Sequence, residues 1–571
     1  MSPSEARPWL RFYGRVPASL DYPEVTLYEA LARTAARVPD AIAWDFLDTT
    51  CTYRDFLAAI DRCADALASL GLARGERILV SMPTSPQGII AFYAANKLGA
   101  VPAMIHPLST GPEIEHYLNA SGARIALTLD AFYGVLAPLG PKVPLETIVL
   151  ARIPDYLPPL KKLGFWLTKG RKIPPVPADA RVRWWADLTA GSYPAAARAA
   201  TGTHDPAAIL FSGGTTGVPK GILLSSRNFI AEGMQAAAWG GMREGDAILA
   251  ILPIFHGFGL GVCVNAAFMA GGKSILVPMF DAKVVAKLLR TKRPNLLVGV
   301  PTLYDALTRD PSLAKADLSC LRATFSGADT LPRPVKERFE KLVAERGGRV
   351  KLLEGYGLTE AVTAIMATPL DEYREGSIGI PFPDMLAKIC RPDTTEEAPV
   401  GEEGEICVAG PAVMLGYLDD PEATAQALKP HADGRTWLHT GDLGRMDADG
   451  FFYFTVRAKR MIKSSGFNVY PAQVEAVLYR HPLVAEACVV GVPDPAQVER
   501  VKAFVVLKDP SRAGPETEQA LIGHCRASLI KWSCPREVEF RTELPKTRVG
   551  KVDYKVLVAE HVAREAQKEA A

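Results

Sequence analysis

The sequence predicts an α/β protein built from a large N-terminal domain of doubly wound sheets, a β-rich subdomain, and a small α+β C-terminal domain. Three observations carry this. Short β-branched runs alternate with amphipathic helical stretches until about residue 380, the pattern of strands covered by helices on both faces. From about 400 the strands shorten and Gly turns intervene (GEEGEICVAG, then DADGFFYFTVRAKR). From about 460 the order reads β–α–β–β–α. The expected division is 1–456, a linker at 457–460, and 461–571.

The elements follow in order. Residues 54–70 (RDFLAAIDRCADALASL) space apolar residues as one helix face, and 77–82 (RILVSM) reads as a buried strand. A helix at 87–98 and a strand at 100–105 continue the alternation. At 151–200 the rhythm breaks. Six prolines flank KKLGFWLTKGRK, a basic stretch with Phe165 and Trp166. It reads either as a surface insertion with a short helix or as a peripheral membrane contact through 160–172. Residues 247–272 carry no formal charge and could span a bilayer, yet Pro253, His256, Asn265 and the loop-like LPIFHGFG mark a buried strand–loop–helix.

Composition narrows the function. The chain has 571 residues, 48% hydrophobic and 22% charged, as a soluble globular protein does. Its net charge is +2, too near neutral for a nucleic-acid-coating surface. Nine cysteines, with no CxxC pair, support neither a zinc knuckle nor a disulfide framework and suit a cytoplasmic setting. The first residues lack an apolar core, so no secretory signal is expected.

The first chemical signal is FSGGTTGVPKG at 211–221. A strand (AAILF) feeds it and another (GILL) leaves it. Ser212, Gly213, Gly214, Thr215, Thr216 and Gly217 can turn tightly and offer N–H groups and hydroxyls to phosphate oxygens, while Lys220 supplies a cation. The spacing is not that of a Walker A loop. Five more segments follow: LPIFHGFG (252–259), EGYGLTE (354–360), WLHTGDLG (437–444), VRAKRMIKSSGFNVYPAQVE (456–475) and LPKTRVGKV (544–552).

In this order and spacing the six segments resemble the adenylate-forming superfamily of acyl-CoA synthetases, adenylation domains and luciferases, over nearly the whole chain. EGYGLTE and SGFNVYP most resemble bacterial long-chain fatty acyl-CoA ligases. The resemblance implies ATP, Mg²⁺ and coenzyme A, and a reaction in which a carboxylate becomes an acyl-adenylate that a thiol then attacks. It places Glu354, Gly355, Tyr356 and Gly357 around adenine, Thr359 at the α-phosphate and Glu360 on Mg²⁺. Asp442 and Arg457 would hold the ribose. His256 would lie in the loop over the acyl carboxylate; read alone, it is equally a core histidine. Lys551 would be the catalytic cation, swung into place on a mobile C-terminal domain pivoting at Lys459. In a second orientation Ser465 and Gly466 would line the pantetheine path.

Three departures stand out. Val456 precedes Arg457 where relatives have Gly or Asp, Val552–Asp553–Tyr554 follows Lys551 where Arg is usual, and Gly213 replaces a commoner Ser. The segments 298–302 (VGVPT) and 326–329 (SGAD) would line the acyl pocket, Gly327 and Ala328 also reaching the nucleotide. Neither segment holds Arg or Lys, which favours an apolar tail over a second carboxylate. The expected partners are a carboxylic acid, read as a medium- or long-chain fatty acid, and CoA. The competing readings are an aryl-acid CoA ligase and an enzyme loading a carrier protein, although with 20 residues after Lys551 no fused carrier domain is expected. Nothing in the sequence addresses the oligomeric state.

Overall fold

Capping chemistry decides where the first helices begin. Thr26 and Glu29 form a capping box at the start of the helix Leu27–Arg37, and Thr52 accepts the Asp55 N–H at the start of Tyr53–Ser69. Each buries one face. The helix Pro86–Lys97 is buried from Pro86 through Asn96, because helices pack on one side of it and strands on the other. This computed structural model describes residues 6–212, 219–457, 460, 462–464, 467–469, 471–494, 498–529, 533–547 and 551–569.

The described strands form four sheets. One has eight strands, and its interior (Val101–Met104, Arg77–Ser81, Ile125–Leu129, Thr147–Ala151) pairs in parallel. A second has nine, with a parallel centre of Leu352–Gly357, Ala323–Ser326, Leu296–Gly299, Ala247–Ala250, Lys273–Leu276 and Ile42–Phe46. The nine-stranded sheet has antiparallel edges on both sides, whereas the eight-stranded one has an antiparallel edge at Gly416–Tyr417 and a parallel one at Val182–Trp184. Parallel strands covered by helices read as continuous apolar runs, which is why they were legible. A largely antiparallel five-stranded sheet between 386 and 457 is the expected β-rich subdomain.

The small C-terminal domain has a five-stranded sheet and its own apolar clusters. It contains the expected β–α–β–β–α run and more. The short strands Ile462–Ser464 and Phe467–Val469 form an opening hairpin, and the strand Glu537–Arg541 and helix Tyr554–Glu569 close the domain. Three-residue strands are too short for periodicity to reveal. Arg457 also differs from expectation. It ends the strand Phe452–Arg457, paired with Asp442, rather than opening a linker.

The uncharged stretch is core, as expected. It contains the strand Ala247–Ala250, a π-helix over Phe258–Asn265 and the helix Ala266–Ala270. Among the described residues no helix is long and apolar enough to cross a membrane. The insertion carries the short helix Pro159–Thr168, none of whose residues is buried.

Candidate active site

The site forms where the β-rich sheet meets the edge of the nine-stranded sheet. The strand Leu352–Gly357 carries Glu354, Gly355, Tyr356 and Gly357, and the single turn Thr359–Ala361 follows it. Tyr356 Oη donates to Asp442 Oδ2 at 2.7 Å, and its ring lies 6.5 Å from that of Phe454. Asp442 is buried, and its strand neighbour across the sheet is Arg457. Two segments more than 80 residues apart in the chain are thus joined through one hydroxyl–carboxylate bond.

The turn before Asp442 is braced. Gly441 adopts φ +70°, a conformation that favours glycine, and its N–H donates to Glu405 Oε1 at 2.8 Å. Asp442 N–H donates to Thr440 Oγ1, which in turn donates to the Ile406 carbonyl.

Glu360 faces a group the sequence did not single out. Tyr417 Oη donates to Glu360 Oε1 at 3.0 Å, and the Lys220 ammonium lies 5.1 Å from the Tyr417 ring centre. Lys220 also pairs with Asp420 at 3.1 Å. Gly416–Tyr417 forms a short strand against Lys220–Ser225, the strand leaving the phosphate loop. The pairing links Lys220 to Glu360, but no local spacing in GYLDD announces it. Of the loop itself, Ser212 ends the strand Pro206–Ser212 and pairs with Lys220, whereas Gly213, Gly214, Thr215, Thr216 and Gly217 lie outside the described residues.

The remaining candidates lie around the His256 loop. His256 Nδ1 accepts the Phe258 N–H at 3.1 Å, which assigns the ring proton of the neutral form to Nε2. Burial and then the Lys551 ammonium push the His256 pKa down to about 4. The lysine of the small domain is thus near enough to act on the charge of the histidine of the large one. Lys551 is fixed locally by its N–H to Thr547 Oγ1 at 3.1 Å. A Cβ on Gly257 would come within 1.8 Å of the Val362 carbonyl, so glycine lets this loop lie against the turn after Glu360. A Cβ on Gly327 would sit 3.1 Å from the Phe258 ring, and Ala328 has φ +72°. Gly327 N–H donates to the Gly299 carbonyl at 3.0 Å, joining the two expected acyl-pocket segments.

Charge is treated differently across the site. Burial pushes Glu354 up to about 7 despite the Lys336 ammonium nearby. Burial likewise raises Glu232, on the helix Ser226–Trp239, to about 8, against a smaller opposing effect of the Ala364 N–H. Thr359 is buried. Arg460 pairs with Glu475 at 2.6 Å, and the large domain's Asp329 acts on both. Lys459, Ser465 and Gly466 lie outside the described residues, as does the side chain of Arg457.

Large parallel sheets, a buried Asp442 bonded to Tyr356, and a small C-terminal domain carrying Lys551 fit the architecture of an adenylate-forming ligase. The chain belongs to the AMP-binding enzyme family, which it matches over residues 31–418, with the family's C-terminal domain at 473–551. It is 37% identical over 560 residues to a long-chain-fatty-acid–CoA ligase of Bacillus subtilis (strain 168), covering 96% of each chain. Among solved structures it is similar to ATP-bound MatB from Rhodopseudomonas palustris (28% identity, TM-score 0.81, 94% of this chain and 99% of that one). It is similar too to a fatty acyl CoA synthetase of Mycobacterium tuberculosis (27% identity, TM-score 0.71, again 94% and 99%).

Proposed function

We propose that the protein activates a medium- or long-chain fatty acid with ATP, releasing pyrophosphate, and transfers the acyl group from AMP to CoA. The observation that carries this reading is the Tyr356–Asp442 hydrogen bond, which joins EGYGLTE to TGD beside the turn that bears Glu360. The fatty-acid class is supported by the relatives' names and by the absence of Arg and Lys from 298–302 and 326–329.

In this reading Asp442 accepts the ribose hydroxyls and Tyr356 stacks on adenine while holding Asp442 in place. Glu360 fits Mg²⁺: it is a hard carboxylate oxygen donor oriented by Tyr417 and close to the end of the phosphate loop. Bound there, the ion would neutralise phosphate charge. Neutral His256 adds no competing cation where the carboxylate must approach the α-phosphate. Lys551 meets the charge that develops on both reactants during adenylation. Rotation about Lys459 then removes Lys551 and brings Ser465 and Gly466 to the thiol path.

Pyrophosphate release with a panel of fatty, aryl and dicarboxylic acids, with and without CoA, tests the reading. Release with dodecanoate or hexadecanoate, and thioester only when CoA is added, is the expected result. Preference for an aryl acid, or no CoA thioester, would refute it.

The helix Pro159–Thr168 carries a second part of the reading, a peripheral contact with the anionic inner face of a membrane. Leu160, Leu163, Leu167 and Trp166 are 85%, 58%, 54% and 39% exposed on this one helix. Lys162, Lys169, Arg171 and Lys172 supply charge complementary to anionic headgroups.

A further inference from the structure

The β-rich sheet holds a buried polar chain that the catalytic reading does not use. His431 and His439 are both buried, and their Nε2 atoms lie 2.9 Å apart. His439 Nδ1 lies 2.6 Å from Glu405 Oε2. The other oxygen of Glu405 accepts the Gly441 N–H, one residue before Asp442. The two strands bearing Glu405 and His439 are neighbours, with Cys407 opposite His439.

The proton positions follow from the partners. Burial alone would raise Glu405, but donors from His439 and Gly441 bring it below its ordinary value, so it is a carboxylate that only accepts. His439 therefore gives it the Nδ1 proton, and in the neutral imidazole Nε2 is then the acceptor. His431 then donates from Nε2, leaving its buried Nδ1 bare, and that atom has no partner among the described residues. Burial, Lys388 and His439 hold His431 neutral, as this arrangement requires. The donor atoms of Glu405, Cys407 and His439 lie within 4.8 Å of one another, a set that could also hold a cation. Hydrogen bonds already occupy both His439 nitrogens and both Glu405 oxygens, and the buried Lys388 ammonium sits over Trp437 on the same sheet, 4.1 Å from the ring centre.

We propose that His431 and Glu405 are positioning residues, which through His439 hold the turn that aims Asp442 at the ribose. The proposal rests on Asp442 being the ribose anchor. His431 touches neither Asp442 nor Gly441, so an effect from it must travel along the chain of bonds.

The test uses full-length protein with His431→Ala, Glu405→Gln and, as a control for the ribose reading, Asp442→Asn. Two readouts are taken: hydrogen exchange at the Gly441 amide, and the dissociation constant of a non-hydrolysable ATP analogue. Glu405→Gln should weaken analogue binding about 5- to 10-fold, because charge-assisted bonds are lost, and His431→Ala about 3-fold. Both should speed exchange at Gly441. His431→Gln, which keeps an N–H donor, should restore both readouts, and it also serves if His431→Ala does not fold. Together the pair should cost no more than Glu405→Gln alone. Unchanged Gly441 exchange in His431→Ala overturns the relay. Faster exchange with unaltered analogue binding, while Asp442→Asn weakens it, leaves a structural brace and overturns the positioning role. If Asp442→Asn binds normally, the ribose reading fails and the proposal falls with it. Stoichiometric metal in the purified protein, lost in Cys407→Ser, also overturns it.

Discussion

The two sides of the site treat charge in opposite ways. Around Asp442 and Glu360 each carboxylate meets named donors: Tyr356, Tyr417, and for the supporting Glu405 an imidazole and a backbone N–H. Around His256 the titratable groups are driven neutral, with His256 down to about 4 and Glu232 up to about 8. In the proposed reading the donor-rich region receives nucleotide and metal and the other receives the apolar acid; Glu354, pushed up to about 7 by burial, departs from its own side. In the same reading Lys551 is the exception on the acid side, a cation that rotation of the small domain would bring in for adenylation and remove afterwards.

Removing that cation is the sharpest way to break the comparison. Lys551→Ala should slow acyl-adenylate formation at least 10²- to 10³-fold, about 3–4 kcal/mol, the usual cost of losing one preorganised donor. Thioester formation from a pre-made acyl-adenylate should change little. Single-turnover kinetics of each half-reaction decides; equal slowing would mean that Lys551 serves folding or CoA binding.

Glu232 tests the neutral side through stability. Its folded pKa of about 8 lies above the ordinary 4.5, so between these values the folded state keeps a proton the unfolded chain has lost. Stability due to this group is full below pH 4.5 and falls as pH rises toward 8. From pH 5.5 to 7.5 the loss is about 2–3 kcal/mol, at 1.36 kcal/mol per unit. Glu232→Gln should flatten denaturant-unfolding stability over that window. An unchanged pH slope would show that the carboxyl is already ionised and partnered.

The donor side should respond more modestly. Asp442→Asn keeps the shape but loses charge-assisted acceptance, and should raise the KM for ATP roughly 10-fold, about 1.5 kcal/mol, with little change in the KM for the acid. A change confined to the acid would place Asp442 on the wrong side of the comparison.

How much of this was legible follows the same division. EGYGLTE and TGD are local, so glycines, hydroxyls and acids stand together in the sequence as they do in space. The parallel strands were equally open, since their apolar runs need no partner to be recognised. What stayed hidden depends on register. Tyr417 reaches Glu360 because a two-residue strand pairs with Lys220–Ser225, and His439 meets Cys407 because of antiparallel pairing across 32 residues. A shift of one residue would turn either side chain to the opposite face, and neither segment carries a local mark of its register. The π-helix after His256 was unreadable for a similar reason, because its apolar composition does not distinguish one helical period from another.

The smallest expected effect concerns a surface far from both halves. The reading from the sequence pointed to Phe165 and Trp166, but Phe165 is only partly exposed, packed edge-on to Trp166 at 6.1 Å. On this helix the most exposed apolar side chains are Leu160, Leu163 and Leu167, at i, i+3 and i+7 on one face. Lys161 ties that helix to the core through the Leu47 carbonyl at 3.0 Å and through Asp48, so the leucines are held outward. If they enter an anionic bilayer, Leu163→Ser with Leu167→Ser should weaken binding to phosphatidylglycerol-containing vesicles by about 1–2 kcal/mol, roughly 5- to 30-fold, because each leucine is only partly buried at an interface. Adding salt should weaken the parent protein as well, since Lys162, Lys169, Arg171 and Lys172 contribute by charge. Activity toward a short, soluble acid should stay as it was, as these residues lie outside the site. Vesicle binding that ignores both the leucines and the salt, or no vesicle binding at all, would leave this helix as a surface insertion.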